Sequence, residues 1–196
     1  MLVSQLIIIT VPYILPPLLI VTDAVPFAWR FYILTLITGL LGFYAYWNQY
    51  QPDSMGLTLT GLVPSLKINI CLTIAVLAVI STAYYYDLFR TIPFRQSVLF
   101  GLFYVLISCP AQEFAYRGFL FEHLKRMGVE NIVLIVLITS FLYAFMHIIY
   151  RDWLTVSLTF IIGLAWGGSY AWAPNLLGVT VSHAFVGLAS FLLGLV

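Results

Sequence analysis

The stretch Cys109-Pro-Ala-Gln-Glu-Phe-Ala-Tyr-Arg-Gly118 decides how this chain is read, because it sets Glu113 and Arg117 at the end of an apolar run that begins near Val98. An ionised carboxylate at that depth in a bilayer is costly unless it is paired. At i,i+4 on a helix the two residues share a face and can neutralise each other. Pro110 removes a backbone donor just before them and can kink or open the helix. Gln112 lies on the adjacent face, with Tyr116 four residues on. On these residues alone two readings stand level: a helix reaching the membrane surface with its charges hydrated, or an intramembrane site.

Composition sets the setting. With 63% hydrophobic and 8% charged residues, the chain reads as a polytopic membrane protein rather than a soluble globular domain. Its 196 residues have room for roughly six to eight spans of about 20 residues. The expected architecture is all-α: one transmembrane helix bundle over 1–196, with about seven membrane helices and no separate soluble domain. A formal charge of +1 leaves no footprint for nucleic acid. Cys71 and Cys109 both lie in apolar segments and suggest neither a disulfide framework nor a cysteine-rich metal site.

Leu2–Val21 reads as a first span, kinked or broken by Pro12, Pro16 and Pro17. A missing basic n-region, and Thr22-Asp23-Ala24-Val25-Pro26 where small residues should sit, argue against a cleaved signal peptide. Phe31–Trp47 is the second span and Gln49–Lys67 a polar loop. Ile68–Tyr86 is the third span, edged by Tyr84, Tyr85 and Tyr86. The fourth helix starts near Ser97 and continues past Arg117 to Met127, where Glu122 pairs with Arg126 while His123 and Lys125 face headgroups. Asn131–Tyr150, Trp153–Trp172 and Leu176–Val196 complete the bundle, with Gly163, Gly167 and Gly168 permitting close helix approach. Basic residues divide almost evenly between the two sides, so charge does not orient the chain.

His147 lies late in the fifth span, four residues after Tyr143, and His183 lies within the seventh. A lone membrane histidine is as often a packing residue as a functional one. Two histidines and the Glu113–Arg117 pair on three separate helices favour a convergent polar cluster, able to bind a metal, move protons or activate water. Zinc is the weakest of these: Arg117 competes for the carboxylate, and no His-Glu-x-x-His pair exists.

At these places the chain resembles the CAAX-protease and bacteriocin-processing family, glutamate-type intramembrane proteases related to the eukaryotic prenyl-protein endopeptidase. The family pattern is Glu-Glu-x-x-x-Arg, then Phe-x-x-x-His, then His-x-x-x-Asn or Asp. Here the three motifs read Gln112-Glu113-Phe-Ala-Tyr-Arg117, Tyr143-Ala-Phe-Met-His147 and His183-Ala-Phe-Val-Gly187. The resemblance covers about residues 97–196 and implies an intramembrane endopeptidase that needs no metal or cofactor. Its partners would be the lipid bilayer and a membrane-associated peptide or protein substrate, lipidated or not. The resemblance further implies that a carboxylate at position 112, with His147, activates a water. His183 would donate to the oxyanion, and Arg117 would hold Glu113.

Three departures matter. Tyr143 replaces a phenylalanine, a packing change. Gly187 replaces the amide, so that donor is absent or supplied elsewhere. Gln112 replaces the first glutamate, and a carboxamide is no general base at neutral pH. Gln is nearly isosteric with Glu, so the chain reads as an inactive Glu-to-Gln form of a peptidase. The alternative is a non-catalytic relative acting as a scaffold, immunity or partner protein. Little extramembrane mass and no visible organelle signal suggest a prokaryotic cytoplasmic membrane.

Overall fold

The computed structural model describes residues 2–88 and 98–193, with side chains from Gln5 onward. Among the described residues the architecture is all-helical. The helices are α1 (Leu2–Tyr13), α2 (Leu15–Val21), α3 (Arg30–Trp47), α4 (Leu62–Tyr85), α5 (the continuous run Val98–Arg126), α6 (Ile132–Met146), α7 (Trp153–Trp172) and α8 (Leu176–Leu192).

Five of the described helices are long and apolar enough to cross a bilayer: Phe27–Trp47, Leu62–Tyr85, Val98–Arg126, Ile132–Tyr150 and Trp153–Trp172. Gln5–Val21 and Leu176–Leu192 are apolar but shorter. A 17-residue helix rises only ~26 Å against a hydrocarbon core of ~30 Å. The span count is therefore five to seven. The helix breaks at Ile14, after Pro12 and before Pro16 and Pro17, as the proline cluster predicts. The surface crossing expected over 87–95 falls mostly outside the described residues, as does Val196.

Polarity runs inward, as lipid demands. Leu36, Phe43, Ile74, Val79, Phe141, Ile161 and Phe185 are exposed, whereas Ser65, Asn69, Ser108, Thr139, Ser140, Ser169 and Ser182 are buried. Several of these buried groups bond across helices. Thr73 Oγ1 donates to Ser182 Oγ at 2.7 Å, Trp166 Nε1 donates to the same oxygen at 3.0 Å, and Ser169 Oγ donates to Asn69 Oδ1 at 3.1 Å. With no water to compete, each such bond spares a desolvated polar group. Helix α7 lies against α6 through two of its glycines. A Cβ on Gly163 would come 3.3 Å from Ser140 and Tyr143 carbons, and one on Gly167 would come 3.2 Å from Val136, while Gly168 faces open space.

Two expectations need correction. Helix α4 begins at Leu62, not Ile68. Pro64 reads as a loop residue but sits in the first turn, where no backbone N–H is required. The segment before it is docked rather than loose: Leu176 N donates to Gly56 O at 3.0 Å, and Asn175 Nδ2 donates to Thr58 O at 2.6 Å. Second, His123 does not face headgroups; it is fully buried. The loop after α3 folds back so that the Tyr50 hydroxyl meets His123 Nδ1 at 2.8 Å, with Phe119 stacked on both rings. Burial pushes the Tyr50 phenol up to about 12, so it keeps its proton and donates. His123 then carries its hydrogen on Nε2, which faces the Gln5 carbonyl at 3.4 Å. Glu122 and Arg126 pair at 3.1 Å as their spacing predicts.

Candidate active site

The decisive stretch lies in α5 between two wide, π-type turns, Tyr104–Ser108 and Phe114–Phe119, with Pro110 near the start of the short α-helical piece between them. Wide turns shift side chains off the regular helical register and recur at functional sites. Neighbouring helices donate to carbonyls of this stretch. The Tyr13 hydroxyl of α1 donates to Ala115 O at 2.6 Å, and Thr38 Oγ1 of α3 donates to Ala111 O at 3.5 Å. Neither donor stood out in the sequence, since nothing local marks a tyrosine or threonine as the partner of a distant carbonyl.

Glu113 is the hub. It and Arg117 are both 0% exposed. Arg117 Nη1 donates to Glu113 Oε1 at 3.2 Å, and His183 Nδ1 reaches the same oxygen at 2.7 Å. Helices α5 and α8 are thus joined through one carboxylate oxygen. Arg117 Nη2 also donates to Gly163 O on α7 at 3.3 Å, and its guanidinium lies 4.4 Å from the centre of the Tyr143 ring. A buried charge is tolerable only with such partners. Glu113 Oε2 and Arg117 Nε are buried with no partner among the described residues.

Tyr143 links the two histidines. Its hydroxyl stands 3.4 Å from His183 Nε2, and its backbone oxygen accepts from His147 Nδ1 at 2.8 Å. The phenylalanine-to-tyrosine change therefore does more than pack, because the added oxygen contacts His183. A carbonyl oxygen only accepts, so His147 carries hydrogen on Nδ1, and a neutral ring keeps its Nε2 lone pair free for a proton or a water. Tyr116 is buried edge-on against Tyr13 and Tyr143, with ring centres 5.2 and 5.4 Å away.

Gln112 is buried beside this hub, and its Nε2 donates to Ser108 Oγ at 3.0 Å. Gly187 lies one turn after His183 on α8. The space its side chain would fill is taken by Tyr104 of α5: a Cβ there would overlap the phenol, coming 2.6 Å from Cζ. Tyr104 was not singled out in the sequence, where it is one of 13 tyrosines. Among the described residues no three His, Cys, Asp or Glu side chains are grouped as a metal site would need. Glu113, His147 and His183 instead connect in series through Tyr143.

A family model described as type II CAAX prenyl endopeptidase Rce1-like matches residues 94–189. No curated protein and no solved structure matches the chain. The matched segment holds all three motifs. Over residues 94–189 this integral membrane protein belongs to the Rce1-like family of type II CAAX prenyl endopeptidases, a family of proteases.

Proposed function

We propose that this chain is built as an intramembrane endopeptidase whose hydrolytic centre comprises position 112, Glu113, Arg117, His147 and His183, and that Gln112 leaves it hydrolytically silent. The carrying observation is the buried hub in which Glu113 is held by Arg117 on one side and by His183 on the other. A carboxylate and a guanidinium fully withdrawn from water need a reason to be retained in a membrane bundle, and that reason is most often functional.

With a carboxylate at position 112, water would be activated there and by His147 Nε2. The carboxylate takes a proton and the water oxygen attacks the peptide carbonyl carbon. The carbonyl electron pair moves onto oxygen as an oxyanion. Collapse breaks the C–N bond, and the stored proton goes to the leaving amine. In place of the oxyanion role that the resemblance implies for His183, its bond to Glu113 makes it, with Arg117, a positioning residue that fixes the turn carrying position 112. Tyr116 and Tyr143 shape the wall beside it. The substrate would be a membrane-associated protein or peptide with a prenylated C-terminus, following the family's description. The setting this reading expects is a prokaryotic cytoplasmic membrane.

The alternative, a non-catalytic scaffold or partner protein, draws on one pair of observations. Gln112 is satisfied by Ser108, and the Gly187 space is filled, so both departures are accommodated by packing. One experiment separates the two. Purified protein and its Gln112→Glu variant are reconstituted and given a prenylated CAAX peptide and a membrane-anchored peptide library, with EDTA present. The peptidase reading expects cleavage by Gln112→Glu, its loss in Gln112→Glu/His147→Ala, and at least ~100-fold less from the unaltered chain. Equal cleavage by both forms would remove position 112 from water activation. Cleavage by neither supports the non-catalytic reading.

A further inference from the structure

We propose that the Tyr104 hydroxyl is the hydrogen-bond donor to the substrate oxyanion in this chain, occupying from α5 the place that the residue-187 side chain leaves empty on α8. The inference rests on the peptidase reading above and names a group that reading leaves unassigned. The observation is geometric. A Cβ at Gly187 would overlap the Tyr104 hydroxyl and lie 2.6 Å from Cζ and 2.8 Å from Cε1, so the phenol oxygen sits against the Gly187 backbone. Gly187 follows His183 by four residues and shares its helix face, and the Tyr104 ring lies edge-on to the His183 ring, 6.1 Å between centres.

Most of the other donors near the hub are committed elsewhere, though Arg117 Nε has no partner among the described residues. His183 Nδ1 is bonded to Glu113 at 2.7 Å, and its Nε2 faces the Tyr143 hydroxyl at 3.4 Å. Arg117 is bonded to Glu113 and to Gly163 O. The Tyr104 hydroxyl, by contrast, lies against the backbone of Gly187 on the helix that carries His183. Turned toward a developing oxyanion, a phenol O–H makes a charge-assisted hydrogen bond. The phenol keeps its proton throughout: it donates a hydrogen bond while the water oxygen adds and the carbonyl pair moves to oxygen. Buried Tyr104 is also held edge-on by Phe191, 4.8 Å between ring centres, which limits the reorganisation needed during reaction.

The test uses the full chain, reconstituted, in the Gln112→Glu background with a prenylated CAAX peptide. Tyr104→Phe keeps the ring and removes only the hydroxyl. Its kcat should fall about 100-fold, while KM changes by less than about threefold. Gly187→Asn alone should lose folded protein through collision with Tyr104, whereas Tyr104→Ala/Gly187→Asn should fold and recover cleavage to within about tenfold of the parent. A kcat for Tyr104→Phe within about threefold of the parent would overturn the inference and leave Tyr104 a filler. So would a larger loss from Tyr143→Phe than from Tyr104→Phe, or faster cleavage by Gly187→Asn alone. These results fell only the Tyr104 assignment, because the parent still cleaves. A parent that cleaves nothing overturns both.

Discussion

Arg117→Ala tests whether the Glu113 hub is a buried charge pair or a solvated surface contact. The substitution removes a 3.2 Å ion pair between two groups that are both 0% exposed, a 3.3 Å bond to Gly163 O, and a guanidinium lying over Tyr143. Glu113 would keep only His183. Breaking one side of a buried pair costs ~3–5 kcal/mol, because the remaining charge stays desolvated. Loss of the cation–π contact adds ~1 kcal/mol. Taking ~4 kcal/mol as the working value, the unfolding temperature should drop by roughly 8–16 °C for a chain of this size. Cys109 is buried and Cys71 exposed, so a thiol-reactive dye in a Cys71→Ser background reports unfolding through Cys109 alone. Arg117→Lys should fall between, retaining charge but losing the fork that reaches both Glu113 and Gly163. Glu113→Gln/Arg117→Met should recover much of the loss, since no charge is then stranded. An Arg117→Ala protein within about 3 °C of the parent would refute the argument, as would a double variant no more stable than Arg117→Ala.

Tyr50→Phe should lower stability by ~1–3 kcal/mol, since it leaves buried His123 Nδ1 without a donor, and the same dye assay reads it. Asp152 caps α7, accepting from Leu154 N at 3.3 Å and Thr155 N at 2.8 Å, so Asp152→Ala should cost about 1 kcal/mol. Bonds from Thr155 hold the Asp152 carboxyl below its ordinary range. A depressed folded value means that the cap contributes fully above the unfolded carboxylate range and fades as pH falls through the folded one. The gap between parent and Asp152→Ala should therefore close in acid, and a gap that widens there would refute the sign.

The Glu113–Arg117 pair was legible in the sequence because both members lie on one helix at a fixed spacing, where backbone geometry alone dictates contact. The same holds for Glu122 with Arg126, again a consequence of local chain geometry. Apolar runs of membrane length likewise announce helices whatever their neighbours. Other features depended on which surfaces meet. That His183 shares Glu113 Oε1 with Arg117, that Tyr143 contacts His183, and that Tyr13 donates to Ala115 O each require helices brought together from far along the chain. His123 shows the limit clearly: its position near the helix end says membrane surface, but the returning loop buries it beneath Tyr50. Gly187 shows it again. In the sequence it is a missing side chain; in the folded bundle that volume belongs to Tyr104, 83 residues earlier. Spacing along one helix fixes what can share a face, while only packing between helices decides which side chain fills a given space.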